Sequence, residues 1–135
     1  MKHILILILL TSNSHTSTET KNDSIIGTWS YVETVDLRTE KEKAKAWEVI
    51  PSQPMIYGYP KLTLFSNGTF KKYQNPDWVD SGKWELKNHK LILSEKMWIE
   101  NKLEEVVNVY ELKSITENTL ELGTQNLYDI YKKIK

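Results

Sequence analysis

From Ile25 onward the apolar residues recur at every second position and the helical period nearly disappears. Alternation of this kind marks strands with one buried face. The first run spans residues 25–37. Its odd positions are Ile25, Gly27, Trp29, Tyr31, Glu33, Val35 and Leu37, and its even positions include Thr28, Ser30, Thr34 and Asp36. One face is therefore mostly apolar, with Glu33 as the exception.

Two hairpins are legible behind it. Residues 61–65 and 69–73 flank Ser66-Asn67-Gly68. A two-residue Asn-Gly turn sets Phe65 against Phe70 and sends Leu62 and Leu64 to the other face. A three-residue loop with Gly68 left-handed pairs Leu64 with Phe70 and keeps Leu62, Leu64 and Phe70 together, so it is preferred. In residues 83–94 a two-residue turn at Asn88-His89 pairs Leu86 with Leu91 and Trp84 with Leu93. All four then share one face, while Glu85, Lys87 and Lys90 occupy the other with Ile92. Further runs at 96–100, 104–116, 120–123 and 127–133 bring the total to about eight short strands, the pattern of an all-β barrel or sandwich.

Residues 38–60 break the meander. They open with the charges Glu40-Lys41-Glu42-Lys43 and then turn apolar through Trp47, Val49, Ile50, Met55, Ile56, Tyr57 and Tyr59, with prolines at 51, 54 and 60. A connection this long usually carries function or a short element of its own. A helix over 40–48 is expected, with Glu42 and Lys45 as an i,i+3 pair.

At 135 residues the chain is one domain. Eighteen basic and eighteen acidic side chains cancel, so the basic surplus that grips a phosphate backbone is missing and nucleic acid is not an expected partner. Five Trp and seven Tyr argue against disorder. The absence of Cys removes disulfides, thiol catalysis and thiolate zinc sites.

The N-terminus reads as an address. Lys2 precedes seven consecutive apolar residues, Ile4 to Leu10, followed by Thr11-Ser12-Asn13-Ser14. The run is far short of the ~20 residues a spanning helix needs, so no membrane span is expected, but it suits a signal-peptide core. A strand that begins the fold would read similarly; the linker-like composition of 11–24 favours the signal. The expected organisation is a signal at 1–14, a linker at 15–24 and a folded domain at 25–135. The product is then exported to the periplasm or outside the cell. No Cys is present to carry a lipid anchor.

The order of these features resembles a known family. Gly27-Thr28-Trp29 opens the first strand as the Gly-x-Trp of lipocalins does, and a long connection follows it. The chain resembles the small secreted and lipid-anchored lipocalin-like proteins of Bacteroidota through Ile26-Gly27-Thr28-Trp29, Leu64-Phe65-Ser66-Asn67-Gly68-Thr69-Phe70 and Ser81-Gly82-Lys83-Trp84-Glu85-Leu86. The resemblance continues through Tyr110-Glu111-Leu112 and Leu120-Glu121-Leu122. It covers about residues 25–133 and implies an antiparallel up-and-down β-barrel of about eight strands, with Trp29 packing the closed end. Lipocalins cover that Trp with an Arg from the last strand; here Lys132 or Lys133 has to serve. The Thr-Asp-x-Tyr signature of the family is not evident.

Catalytic chemistry is sparse. His3 and His15 fall in the signal and linker, and His89 in a tight turn, so no His stands beside a nucleophile. Asp77 and Asp80 lack the further oxygen ligands of a calcium loop and read as an Asn-Pro turn leading into a strand. Glu104 and Glu105 alternate faces on a strand and cannot act together. No catalytic residue, metal or cofactor is expected. The expectation is a binding protein for a small, partly apolar molecule. Its pocket is expected to be formed by Tyr31, Trp47, Met55, Tyr57 and Phe70, with residues 38–60 lying across a barrel mouth. The alternative is a protein-binding or inhibitory barrel whose core is filled by its own side chains.

Overall fold

The computed structural model describes residues 24–45 and 56–135. The predicted signal, nearly all of the linker, and Trp47 and Met55 lie outside the described residues. Eight strands close into an antiparallel barrel in chain order: β1 (Gly27–Asp36), β2 (Lys61–Leu64), β3 (Thr69–Asn75), β4 (Trp78–Lys87), β5 (Lys90–Ile99), β6 (Lys102–Ile115), β7 (Thr119–Gly123) and β8 (Leu127–Ile134). Pairing of β1 with β8 completes the ring.

Turn chemistry sets the registers. Asn88 and His89 take left-handed φ values of 53° and 58°, as a two-residue turn between twisted strands requires. Leu86 faces Leu91 and Trp84 faces Leu93, as expected. The preceding hairpin uses the three-residue loop: Gly68 has φ of 84° and Leu64 faces Phe70. The boundaries around β5 differ from the sequence reading. β5 runs unbroken to Ile99, and the next turn is Glu100-Asn101, both left-handed, rather than Asn101-Lys102.

The first strand does not keep one parity. A bulge between Tyr31 and Glu33 shifts its register against β8, so that Thr34 pairs with Asp129 and Val35 with Tyr128. Tyr31 keeps its place against the core, whereas Glu33 is exposed. Val32 is the extra residue, without a partner on β8, and it shifts Glu33, paired with Ile130, off the apolar face.

The core occupies one end of the barrel. Ile25, Trp29, Leu62, Leu64, Phe70, Leu91, Leu93, Leu120, Leu122 and Tyr131 are buried together. Trp29 is fully buried and its indole N–H donates to the Ile25 carbonyl at 2.8 Å, leaving no orphaned donor. Lys133 Nζ lies 5.2 Å from the Trp29 ring centroid, the cation the last strand was expected to supply.

Helix α1 (Glu40–Lys45) follows β1. Its remaining predicted turn, 46–48, lies outside the described residues. The Thr39 hydroxyl caps it by accepting the Glu42 N–H at 3.2 Å. The i,i+3 ion pair joins Glu40 to Lys43 rather than Glu42 to Lys45. No helix among the described residues is long and apolar enough to cross a membrane.

Candidate functional site: the polar barrel mouth

The up-and-down order divides the connections between two ends. The turns at 65–68, 88–89 and 116–118 gather at the end plugged by Ile25 and Trp29. The end of β1 and the turns at 76–77, 100–101 and 124–126 gather at the other end, the mouth; most of the connection expected to lie across it, 46–55, falls outside the described residues. Inward-facing residues change character between the two. Towards the mouth, β3 and β5, which supply Phe70, Leu91 and Leu93 to the core, next turn Lys72, Gln74 and Glu95 inward, and their neighbours β4 and β6 turn Asp80, Asn108 and Tyr110 inward.

These six residues, with Phe70 and Leu93 as a floor, line a cavity of about 60 Å³. That space holds one or two waters, well below the ~300 Å³ and upwards of an ordinary ligand pocket. Above the floor the ring is partly open to solvent, since Gln74 and Asn108 are exposed.

Its polar groups are bonded to one another rather than idle. Asp80 accepts the Trp78 indole N–H at 2.9 Å and the Gln74 amide at 3.4 Å. Lys72 Nζ donates to the Tyr110 hydroxyl at 3.4 Å and lies 5.6 Å from that ring's centroid. The Glu95 carboxyl is raised above its ordinary value, first because burial penalises the charge and then because Asp80 is nearby; Lys72 opposes both. On the neighbouring wall Tyr31 donates to Thr34, whose hydroxyl donates in turn to Asp129, both at 2.6 Å. Tyr131 stacks edge-on against Tyr31 at 5.8 Å, and burial pushes its hydroxyl well above the usual phenol range.

The predicted site residues are not brought together as one wall. Phe70 lines the cavity floor and is buried. Tyr31 is half-buried and packs on the core from the neighbouring wall. Tyr57 is fully exposed. Trp47 and Met55 lie outside the described residues. A wider depression of about 470 Å³ lies on the outside of the barrel, between Asn67-Gly68-Thr69 and the outward faces of β4, β5 and β6. It is open to solvent, and the inner ring is the better enclosed of the two.

A family model described as lipocalin-like matches residues 62–134, more than half of the chain. The chain belongs to the lipocalin-like family. Among solved structures, it is similar to a lipocalin-like protein from Bacteroides thetaiotaomicron VPI-5482. The two share 20% identity and a TM-score of 0.48, over 82% of this chain and 97% of the other. No curated protein matches it.

Within this lipocalin-like barrel, sequence reading missed Lys72, Gln74, Glu95, Asn108 and Tyr110. Each shares parity with a core residue two or four positions away: Lys72 and Gln74 with Phe70, Glu95 with Leu93, and Asn108 and Tyr110 with Leu112. The signal was present as polar residues on the apolar face of a strand. It was passed over because the apolar residues alone suffice to set the registers.

Proposed function

We propose that this lipocalin-like barrel is an exported, non-catalytic binding protein that holds a small, partly apolar molecule in its mouth. One observation carries the reading. A barrel filled only for stability places apolar side chains on its inner face throughout, because an inward polar group costs free energy unless satisfied. Here the inner face is apolar to the level of Phe70 and Leu93 and hydrogen-bonding above it. The apolar part of a ligand would meet that floor, and its polar part Lys72, Gln74, Asp80, Glu95, Asn108 and Tyr110. Because side chains fill the closed half, the ligand sits at the mouth and not deep within the barrel. Export rests on the signal-like residues 1–14.

Native mass spectrometry of protein purified from its own host tests the reading, followed by titration with a fluorescent apolar probe. The expected result is a co-purifying small molecule and saturable one-to-one probe binding. Asn108→Leu should weaken binding of the co-purified molecule about tenfold, the ~1.5 kcal/mol equivalent of a hydrogen bond left unmade, while leaving the apolar probe bound. With no bound molecule and no saturable binding, the ligand reading falls and the protein-binding barrel with a filled core replaces it. N-terminal sequencing of the same preparation should find a chain beginning near His15; a chain retaining Met1 to Leu10 in the cytoplasm refutes export.

A further inference from the structure

We propose that two copies of this chain associate through β6, edge to edge and antiparallel, about a two-fold axis at Val106. The β5–β6 ladder extends from Lys90–Glu111 to Ile99–Lys102 without a register shift. Its neighbours do not follow it. β4 stays with β5 only as far as Ser94, and β7 joins β6 only from Leu112. From Lys102 to Glu111, β6 therefore presents an edge with which no described residue pairs. Leu112 N–H donates to the His89 carbonyl. Alternation along an antiparallel ladder then turns the backbone of even-numbered β6 residues towards β5. The N–H and C=O groups of Leu103, Glu105, Val107, Val109 and Glu111 point outward.

Such an edge is a template for another strand, and proteins usually blunt it with shortness, Pro or a bulge. This edge carries no Pro and no bulge. Its outer face exposes apolar side chains, Trp98 by 74%, Leu103 by 51%, Val107 by 52% and Val109 by 55%, interrupted by Glu105 and ended by Glu111.

The pattern is complementary to itself. With Val106 on the axis, Leu103 faces Val109 of the second copy and Glu105 faces Val107. On the inner side Glu104 faces Asn108 and Lys102 faces Tyr110. A row then crosses four strands as Trp98, Leu103, and Val109 and Ile92 of the second copy; symmetry repeats it. No like charges meet, and Glu105 keeps Lys96 of its own chain beside it. Axes at residue 104 or 105 oppose a glutamate to its own copy, and one at Asn108 sets Glu105 against Glu111. Like charges directly opposite are destabilising. The match of the edge to itself over its whole length selects a second copy over an unrelated strand.

Sedimentation equilibrium of the full chain tests the proposal. Wild type should show a concentration-dependent dimer. Leu103→Lys and Val109→Glu should each weaken it at least tenfold. Both positions are half-exposed, so neither should alter the far-UV spectrum or the melt of the dilute, monomeric protein. An equimolar mixture of the two variants should associate again, because the introduced lysine of one copy then faces the introduced glutamate of the other. A wild type that stays monomeric overturns the proposal. So does a dimer indifferent to the single changes, or a mixture that fails to recover.

Discussion

Gly82 is where replacing a glycine should harm the fold for a purely steric reason. In a strand interior, Ala is ordinarily favoured over Gly by roughly 0.5–1 kcal/mol. At Gly82 a Cβ would fall inside the van der Waals envelope of the Ser94 carbonyl oxygen and 3.0 Å from Phe70 Cε1. The first neighbour is backbone and cannot rotate away. β5 would have to retreat from β4 next to the pair Lys83–Ser94, where the two strands part. Overpacking costs about 1–3 kcal/mol, and loosening the adjoining ladder bonds adds ~1 kcal/mol. Against the propensity gain, Gly82→Ala should lose about 2–3 kcal/mol, equivalent to ~10–20 °C in Tm for a domain of this size. Gly68→Ala is the contrast. Its φ of 84° strains a side chain, but the nearest atom lies 4.0 Å away, so the loss should be about 1 kcal/mol. Urea melts of both variants decide the matter. Equal losses, or a Gly82→Ala protein as stable as wild type, would refute the close approach of β5 to β4.

Leu86 packs on the core while its neighbour Glu85 points outward. Leu86→Asp should therefore cost about 3 kcal/mol and Glu85→Ala almost nothing in denaturant melts; similar small effects would contradict the register. Glu95 gives a pH test. Its folded value is raised above 4.5, so the folded chain holds this proton more tightly than the unfolded one. The contribution is full below pH 4.5 and is lost as pH rises through the folded value. Glu95→Gln should accordingly gain stability relative to wild type as pH climbs above 4.5; melts across a pH series showing no such trend would count against burial of this carboxyl.

The hairpins were legible because turn residues and face parity agree. Asn88-His89 and Gly68 each admit left-handed backbone, and only one register keeps the leucines inside. The bulge in β1 was not legible, since one extra residue has no composition of its own; Glu33 on the wrong face was its trace. The turn after β5 was misplaced by one position because Glu100 is an unusual residue at positive φ, where Asn is the expected one. At the mouth the reading favoured aromatics in the long connection as pocket walls. Tyr57 is instead fully exposed, and polar residues of the strands themselves face inward beside Phe70. Strand parity locates these residues, but only closure of the barrel brings β3, β4, β5 and β6 round one cavity.

The vertical division of the barrel has an evolutionary consequence. Folding free energy is concentrated around Trp29 and its buried neighbours, whereas the ring at the mouth lies on the same strands but is partly open to water. Exchanging one polar side chain for another at Lys72, Gln74 or Asn108 leaves that core intact. Selection can therefore vary the chemistry of the mouth independently of the scaffold, and relatives with an unchanged closed end can diverge in the polar groups their mouths present.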